Sequence, residues 1–242
     1  MLKLKNISKY FYTNKEKQIA LDNINLEIQD GEIFGIVGKS GVGKSTLLKI
    51  LSLQLKPDTG EYFIDNKNTL TFNTKEKTTF LRSTSFVYQN FSLLYNLTVL
   101  DNILLPLKIL KVPKDVQIKR AKEMLEFVGL SHKANEYPIT LSGGEAQRIS
   151  IARALVTEPN ILFLDEITSS LDLETSFDIL DLILKIHKTF KPTIIFISHQ
   201  IDAIKYLCER VMLLENGKVK RIEKISNHKL KSYTYEELLW QS

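Results

Sequence analysis

The sequence predicts an α/β fold with a mostly parallel core sheet, an antiparallel β subdomain and a helical insert over roughly residues 90–158. Three observations predict it. Short apolar runs at Glu32–Val37, Ile161–Leu164 and Thr193–Ile197 have the length and character of parallel strands buried on both faces. Residues 1–30 alternate apolar and polar side chains, as half-buried antiparallel strands do. The middle of the chain carries helical spacing.

Taken in order, Leu2, Leu4 and Ile7 mark one N-terminal strand, and Ile24, Leu26 and Ile28 mark another. The polar stretch Thr13 to Gln18 reads as the hairpin loop between them. Asp30-Gly31 is a turn into the run ending at Val37. A Gly-rich loop follows, then a helix from Thr46 to Leu55 that Pro57-Asp-Thr-Gly60 closes ahead of a hairpin around Tyr62 to Ile64. Residues 65–82 read as loop or short helix, and Thr84–Tyr88 as a strand. Residues 98–136 are helical, with Asn102, Pro106 and Pro113 as interruptions, and Asp115–Val128 is the best amphipathic segment, closed by Gly129. Helices are expected at Ser142–Val156, Leu173–His187 and Asp202–Cys208, then a strand Val211–Glu215 and a turn at Asn216-Gly217. From Lys218 the chain is polar and basic, with a weak helix at Tyr235–Trp240, and the domain boundary falls at 222, leaving 223–242 as a short tail.

Composition excludes several classes. The chain has 242 residues, 43% of them hydrophobic and 25% charged, ordinary values for a globular domain and unlike those of a disordered or collagen-like chain. Its net charge of +5 is explained by solubility without nucleic acid, and no nucleic-acid partner is expected. The one cysteine, Cys208, allows no internal disulfide and sits at core spacing. No apolar run reaches the roughly 18–20 residues that cross a bilayer, and the N-terminus has no signal-peptide character. Any work at a membrane is done from its side.

The chemistry begins at Gly38-Lys-Ser-Gly-Val-Gly43-Lys44-Ser45, a full match to G-x-x-x-x-G-K-[ST] between a strand and a helix. The pattern resembles the phosphate loop of P-loop NTPases. Glycines let successive N–H groups face inward, and the helix N-terminus adds its positive dipole end. Gly38, Lys39, Ser40, Gly41, Gly43 and Thr46 are the candidate phosphate contacts, Lys44 the charge for the β- and γ-phosphates, and Ser45 a Mg²⁺ ligand. The run Ile161–Leu164 ends in Asp165-Glu166, acids at the carboxyl end of a buried strand, where α/β sheets place ligands. Asp165 fits the Mg²⁺-side acid, acting through a water. Glu166 points differently and is the candidate to orient or deprotonate an attacking water.

Leu141-Ser142-Gly143-Gly144-Glu145 opens a second anion-binding helix start without a lysine loop of its own. Two chains sharing nucleotides would explain this economically. The stretch resembles the signature of ATP-binding-cassette ATPases, and further motifs of that family follow in order. Gln89 resembles the glutamine that contacts Mg²⁺ and the attacking water, Ser170-Leu171-Asp172 the loop crossing the dimer interface, and His199 the switch histidine at the γ-phosphate. Phe11 resembles the aromatic that stacks on adenine, with Tyr12 as a possible substitute. The resemblance covers residues 1 to about 222 and implies ATP and Mg²⁺ as cofactors, an antiparallel β subdomain and an α-helical signature subdomain. It also implies a head-to-tail homodimer around ATP, or a pairing of paralogues. The partner would be an integral membrane permease, docked at Asn90–Tyr95 and the helical insert on the cytoplasmic face of the membrane.

The stretch Phe86–Val99, with Asn102 and Leu105-Pro106-Leu107, is similar to amino-acid importer cassettes, and Val128–Pro138 and Leu207–Val211 to methionine-importer ATPases. Those imply an extracytoplasmic substrate-binding protein as a further partner. They usually carry a C-terminal ligand-sensing domain, for which the residues after Lys220 are too few. Cassettes for lipoprotein release or peptide and drug efflux resemble the same region and stay open as an alternative, as does a cassette with no transport role.

Overall fold

The computed structural model describes residues 1–13 and 16–225. The expected helix at Tyr235–Trp240 and the tail beyond 225 lie outside the described residues.

Strands β1 (Leu2–Thr13) and β2 (Glu16–Ile28) pair antiparallel, so the hairpin runs further than the sequence suggested and residues 16–18 are strand. The apolar alternation shifts phase between Leu4 and Ile7 because the register slips there, around Asn6 in the left-handed region at φ 52°. With β4 (Thr59–Ile64) and β5 (Lys67–Asn68) they form a four-stranded sheet in the order β2-β1-β4-β5.

The second sheet contains β3 (Ile33–Val37), β6 (Thr84–Tyr88), β7 (Ile161–Asp165), β8 (Thr193–Ser198), β9 (Arg210–Glu215) and β10 (Lys218–Lys224). Its order is β10-β9-β3-β8-β7-β6, parallel throughout except at the β9–β10 edge hairpin. Pleating divides its side chains between two cores. Ile33, Leu162, Leu164, Ile194 and Phe196 face one core; Phe34, Ile36, Ile161, Phe163, Ile195 and Ile197 face the other.

The second of these cores is closed by the antiparallel sheet and by α1 (Lys44–Leu51). The first is closed by α3 (Val99–Ile109), α4 (Lys114–Phe127), α5 (Gly143–Leu155), α6 (Leu173–Phe190) and α7 (Ile201–Leu207). A capped helix α2 (Thr74–Arg82) occupies the stretch read as loop or short helix, with Asn73 and Glu76 exchanging bonds at its start.

Several boundaries move for physical reasons. Helix α1 starts two residues earlier than expected and ends at Leu51, because Leu53 turns left-handed at φ 57°. Residues Lys218–Lys224 are strand rather than the start of a tail, because Val219 and Ile222 pack against the core beneath an otherwise polar edge. The boundary at 222 therefore cuts a strand that ends at 224. Asn102 and Pro106 do not interrupt α3, which runs through both while Val99, Ile103 and Leu107 are fully buried. Pro113 caps α4. Cys208 is fully buried and burial pushes its thiol well above the ordinary range, as a core residue requires.

Asn102 is a clamp. Its amide oxygen accepts from the Leu94 N–H at 2.8 Å, and its amide nitrogen donates to the Leu94 and Thr98 carbonyls at 3.0 and 2.9 Å. Removing a buried side chain that satisfies several backbone groups leaves them unpaired. Asn102→Ala is expected to cost about 2 kcal/mol in urea unfolding, as a lower midpoint at unchanged slope.

Candidate functional site

Strands β3, β6, β7 and β8 end together. The register pairs Val37 with Ser198, Asp165 with Ile197 and Tyr88 with Asp165. The loops that follow therefore open on one edge, the carboxyl edge of the parallel sheet, and Gly38, Gln89, Glu166 and His199 each come just after a strand there.

The Gly38–Ser45 loop is braced by backbone on both sides. A Cβ on Gly38 would sit 2.4 Å from the Leu214 carbonyl, and one on Gly43 2.4 Å from the Ala20 carbonyl. Gly43, at φ 107°, also takes a conformation that side-chain-bearing residues avoid. Helix α1 starts with no side-chain cap and no acid in its first turn, so its first N–H groups are open to an anion. Lys39, Ser40, Gly41 and Ser45 are exposed on this loop, and Thr46 is half-buried.

Lys44 is only 5% exposed. Its ammonium donates to the Gly38 and Lys39 carbonyls at 2.8 and 2.9 Å and lies 3.8 Å from Glu166 Oε1. On its other side, Glu166 Oε2 is 3.0 Å from His199 Nδ1. A carboxylate only accepts hydrogen bonds, so this bond places a proton on Nδ1 and leaves Nε2 as the outward nitrogen. Glu166 is held in the left-handed region at φ 51°, its N–H bonded to the Ile197 carbonyl and its own carbonyl accepting from Ser169 Oγ. Thr168, fully buried, donates through Oγ1 to Gln200 Oε1 at 2.7 Å and ties the loop after β7 to that after β8. Neither Thr168 nor Gln200 stands out in the sequence as more than a polar residue flanking an apolar run.

Asp165 is half-buried, and burial pushes its carboxyl above the ordinary range; the neighbouring Glu166 adds to that, while Lys44 and Lys49 oppose it. Ser45, Asp165 and Gln89 offer only oxygen ligands, which suits Mg²⁺. Among the described residues no three His, Cys, Asp or Glu side chains gather to hold a metal, so the ion's remaining ligands would come from phosphate and water.

The second helix start is built differently. Ser142 caps α5, accepting from the Glu145 N–H at 3.2 Å, while the Glu145 carboxylate accepts from the Ser142 N–H at 2.8 Å. Glu145 is thus taken up by the cap, which holds its carboxyl below the usual range. The Ser142 hydroxyl hydrogen is not consumed by that bond. Asp172 caps α6 through the Thr175 N–H and hydroxyl. The two caps lie side by side: a Cβ on Gly143 would meet Leu171, and one on Gly144 would meet Thr175. No hydrogen bond or ion pair among the described residues joins Ser142–Glu145 to the Gly38–Ser45 loop. Phe11 and Tyr12 are exposed, on the same hairpin that supplies the Ala20 wall of the loop.

The family model "ABC transporter" matches residues 21–169, more than half of the chain. The chain belongs to the ABC transporter family. The methionine import ATP-binding protein MetN 2 of Bacillus cereus is 43% identical over 219 residues, 90% of this chain and 65% of the relative. MetN 1 of Listeria monocytogenes is 46% identical over 217 residues, 90% of this chain and 64% of the relative. The chain thus spans slightly less than two thirds of these relatives' length. Among solved structures, a dimeric post-hydrolysis state of the ATP-binding cassette MJ0796 bound to ADP and Pi matches at TM-score 0.82 and 40% identity, covering 93% of this chain and 98% of that one. The cassette cbiO1 of Clostridium perfringens, part of the ABC transporter complex cbiONQ, matches at TM-score 0.82 and 31% identity, covering 92% and 88%. The P-loop architecture read from the sequence is the one these cassettes share.

The raised carboxyl of Asp165 sets a trade-off in this cassette. A group whose pKa rises on folding costs stability once it is ionised, so the cost is present at neutral pH and fades as pH falls through the folded pKa. Asp165→Asn is expected to raise the ligand-free melting temperature at pH 7.5, with the gain shrinking towards pH 4.

Proposed function

We propose that this chain is the ATP-hydrolysing subunit of an ABC transporter, with residues 1–224, to the end of β10, as its nucleotide-binding domain, and that it powers amino-acid import, with methionine the leading substrate. The observation that carries the reading is the convergence of Lys44 and His199 on Glu166, beside an uncapped helix start. The names of the MetN relatives support methionine, and the dimeric neighbour bound to ADP and Pi supports hydrolysis in a dimer.

In this mechanism the amides of Gly38, Lys39, Ser40, Gly41, Gly43, Ser45 and Thr46 take the phosphates, and Lys44 exchanges its loop carbonyls for the β- and γ-phosphates. Ser45 and Gln89, with Asp165 beside them, would hold Mg²⁺, which would supply charge neutralisation at the phosphates. Glu166 accepts the proton of the attacking water, with Gln89 positioning it. Through its Nδ1 bond His199 steadies Glu166, and as an imidazolium it would also donate from Nε2 to the γ-phosphate. Phe11, or Tyr12 in its place, stacks on adenine.

Ser142, Gly143 and Gly144 of a second copy close over the γ-phosphate, with Asp172 at the dimer seam and Glu145 shaping the tip through its cap. ATP thus favours a closed head-to-tail dimer that hydrolysis reopens. No described helix is long and apolar enough to cross a membrane; in this reading permease subunits carry the chain at the cytoplasmic face. An extracytoplasmic binding protein would deliver the substrate.

Three variants test the chemistry. Lys44→Ala is expected to lose ATP binding in a fluorescent-nucleotide titration. Glu166→Gln keeps binding, lowers turnover at least roughly 100-fold and accumulates an ATP-dependent dimer on gel filtration; wild-type hydrolysis by it would remove Glu166 as the base. His199→Ala lowers kcat roughly tenfold or more with Kd for ATP within about twofold, and normal turnover would remove the switch role.

The transport assignment is tested by pull-down from detergent-solubilised native membranes. A permease of five or six spans, with a binding protein that takes methionine, is the expected result. A permease with few spans and a large extracytoplasmic domain would point instead to efflux or lipoprotein release. Ribosomal or DNA-repair partners would overturn transport.

A further inference from the structure

A cavity of about 230 Å³ lies at the end of α1 opposite to the phosphate loop. Ile50, Leu53 and Leu55 line it from the last turn of α1 and the residues just after it. Leu70 and Phe72 line it from the stretch between β5 and α2. Tyr62, fully buried, also borders it, but its hydroxyl is already spent on the Leu51 carbonyl at 2.7 Å. The interior is therefore apolar.

Two features of these walls go beyond ordinary packing. Leu53 takes the left-handed region at φ 57° just after the helix, a place that glycine or asparagine usually fills. Strain of that kind persists only where the surroundings hold it, and it gathers at ligand clamps. Here leucine gives the cavity an apolar side chain that glycine would not. Leu70 is 63% exposed, so the fold itself leaves this side chain uncovered beside the cavity.

The charges are one-sided. Lys56 and Lys77 line the cavity, and no carboxylate does. Neither ammonium has an ion-pair or hydrogen-bond partner among the described residues. The nearest acids along the chain are engaged elsewhere. Asp58 accepts from the Lys9 ammonium at 2.9 Å and the Tyr10 N–H at 2.7 Å. Glu76 pairs with Lys67 and accepts from the Asn73 N–H at 3.0 Å. Two uncompensated cations thus border an apolar hollow, and a hydrocarbon body with one anionic group matches both. At roughly 30 Å³ per heavy atom, the hollow holds about seven or eight carbons. An amino acid fits poorly, because the two lysines repel its ammonium.

We propose that this cavity is a second ligand site, taking a monocarboxylate with a hydrocarbon body of about six to eight carbons, its carboxylate met by Lys56 and Lys77. Helix α1 has eight residues, a length of about 12 Å, and the phosphate loop sits at its other end. The two sites are separate and can be filled together.

The test is calorimetric titration of sodium octanoate into the full 242-residue chain, with amide NMR spectra to locate the ligand. One site per chain with Kd below about 1 mM is expected, with shifts at the Leu53, Leu70 and Phe72 amides. Each buried methylene is worth about fourfold in affinity, so butanoate is expected to bind at least roughly tenfold more weakly. Octylamine, of like length and opposite charge, is expected to bind at least roughly tenfold more weakly too. Lys56→Gln combined with Lys77→Gln is expected to raise Kd for octanoate about tenfold or more, at unchanged melting temperature, because neither lysine holds a partner that the fold needs. Saturating ADP is expected to leave Kd for octanoate within about twofold.

No binding at about 10 mM octanoate would overturn the proposal. So would equal binding of octylamine, or an octanoate affinity indifferent to the two lysines. Displacement of octanoate by ADP would place the anion at the phosphate loop and overturn it as well. Co-sedimentation with phosphatidylglycerol vesicles that the double lysine variant loses, by a chain that ignores octanoate, would make this surface a membrane contact instead.

Discussion

The structure depends on one constraint: a parallel sheet buried on both faces leaves polar side chains almost nowhere to go except the strand ends. Every residue of β8 is buried, and Ile161–Leu164 of β7 likewise. A charge within these strands would be stranded without water. The acids and the histidine therefore gather past the carboxyl ends, and register alone decides which of them meet. Because β8 lies between β3 and β7, the loop after β3 and the loops after β7 and β8 become neighbours, and Lys44, Glu166 and His199 come within reach of one another.

The rest of the molecule arranges helix ends around that edge. Helices α2, α5 and α6 spend their exposed amides on their own side chains, through Asn73, Ser142 and Asp172. Helix α1 does not. That difference separates a helix start shaped to receive phosphate from starts that are already satisfied. The tip at Ser142 falls between these cases, keeping a hydroxyl hydrogen and an exposed Gly143 after its cap is made.

The sequence carried the parallel strands clearly, because four or five consecutive apolar residues between turn signals admit few other homes. It carried the loop chemistry too, since Gly43-Lys44-Ser45 and Asp165-Glu166 are local patterns. It did not carry what tertiary contact decides. Helix α3 passes through Pro106 because the buried face of Val99, Ile103 and Leu107 outweighs one lost backbone bond. Strand β10 reads as a polar tail because an edge strand exposes most of its residues, and only Val219 and Ile222 betray it. Asn102 looks like a helix breaker and is a clamp, a distinction that requires knowing that Leu94 lies beside it. The pairing of Glu166 with both Lys44 and His199 rests on strand order, which no single motif encodes.

The bracing of Gly38 and Gly43 against the Leu214 and Ala20 carbonyls has a thermodynamic corollary. A loop wedged between two backbones has little conformational freedom left to lose when an anion arrives. Nucleotide capture should then forfeit little ordering entropy at the loop itself. Whatever ordering a bound anion demands falls on the elements around the loop rather than on the loop, which behaves as a fixed socket.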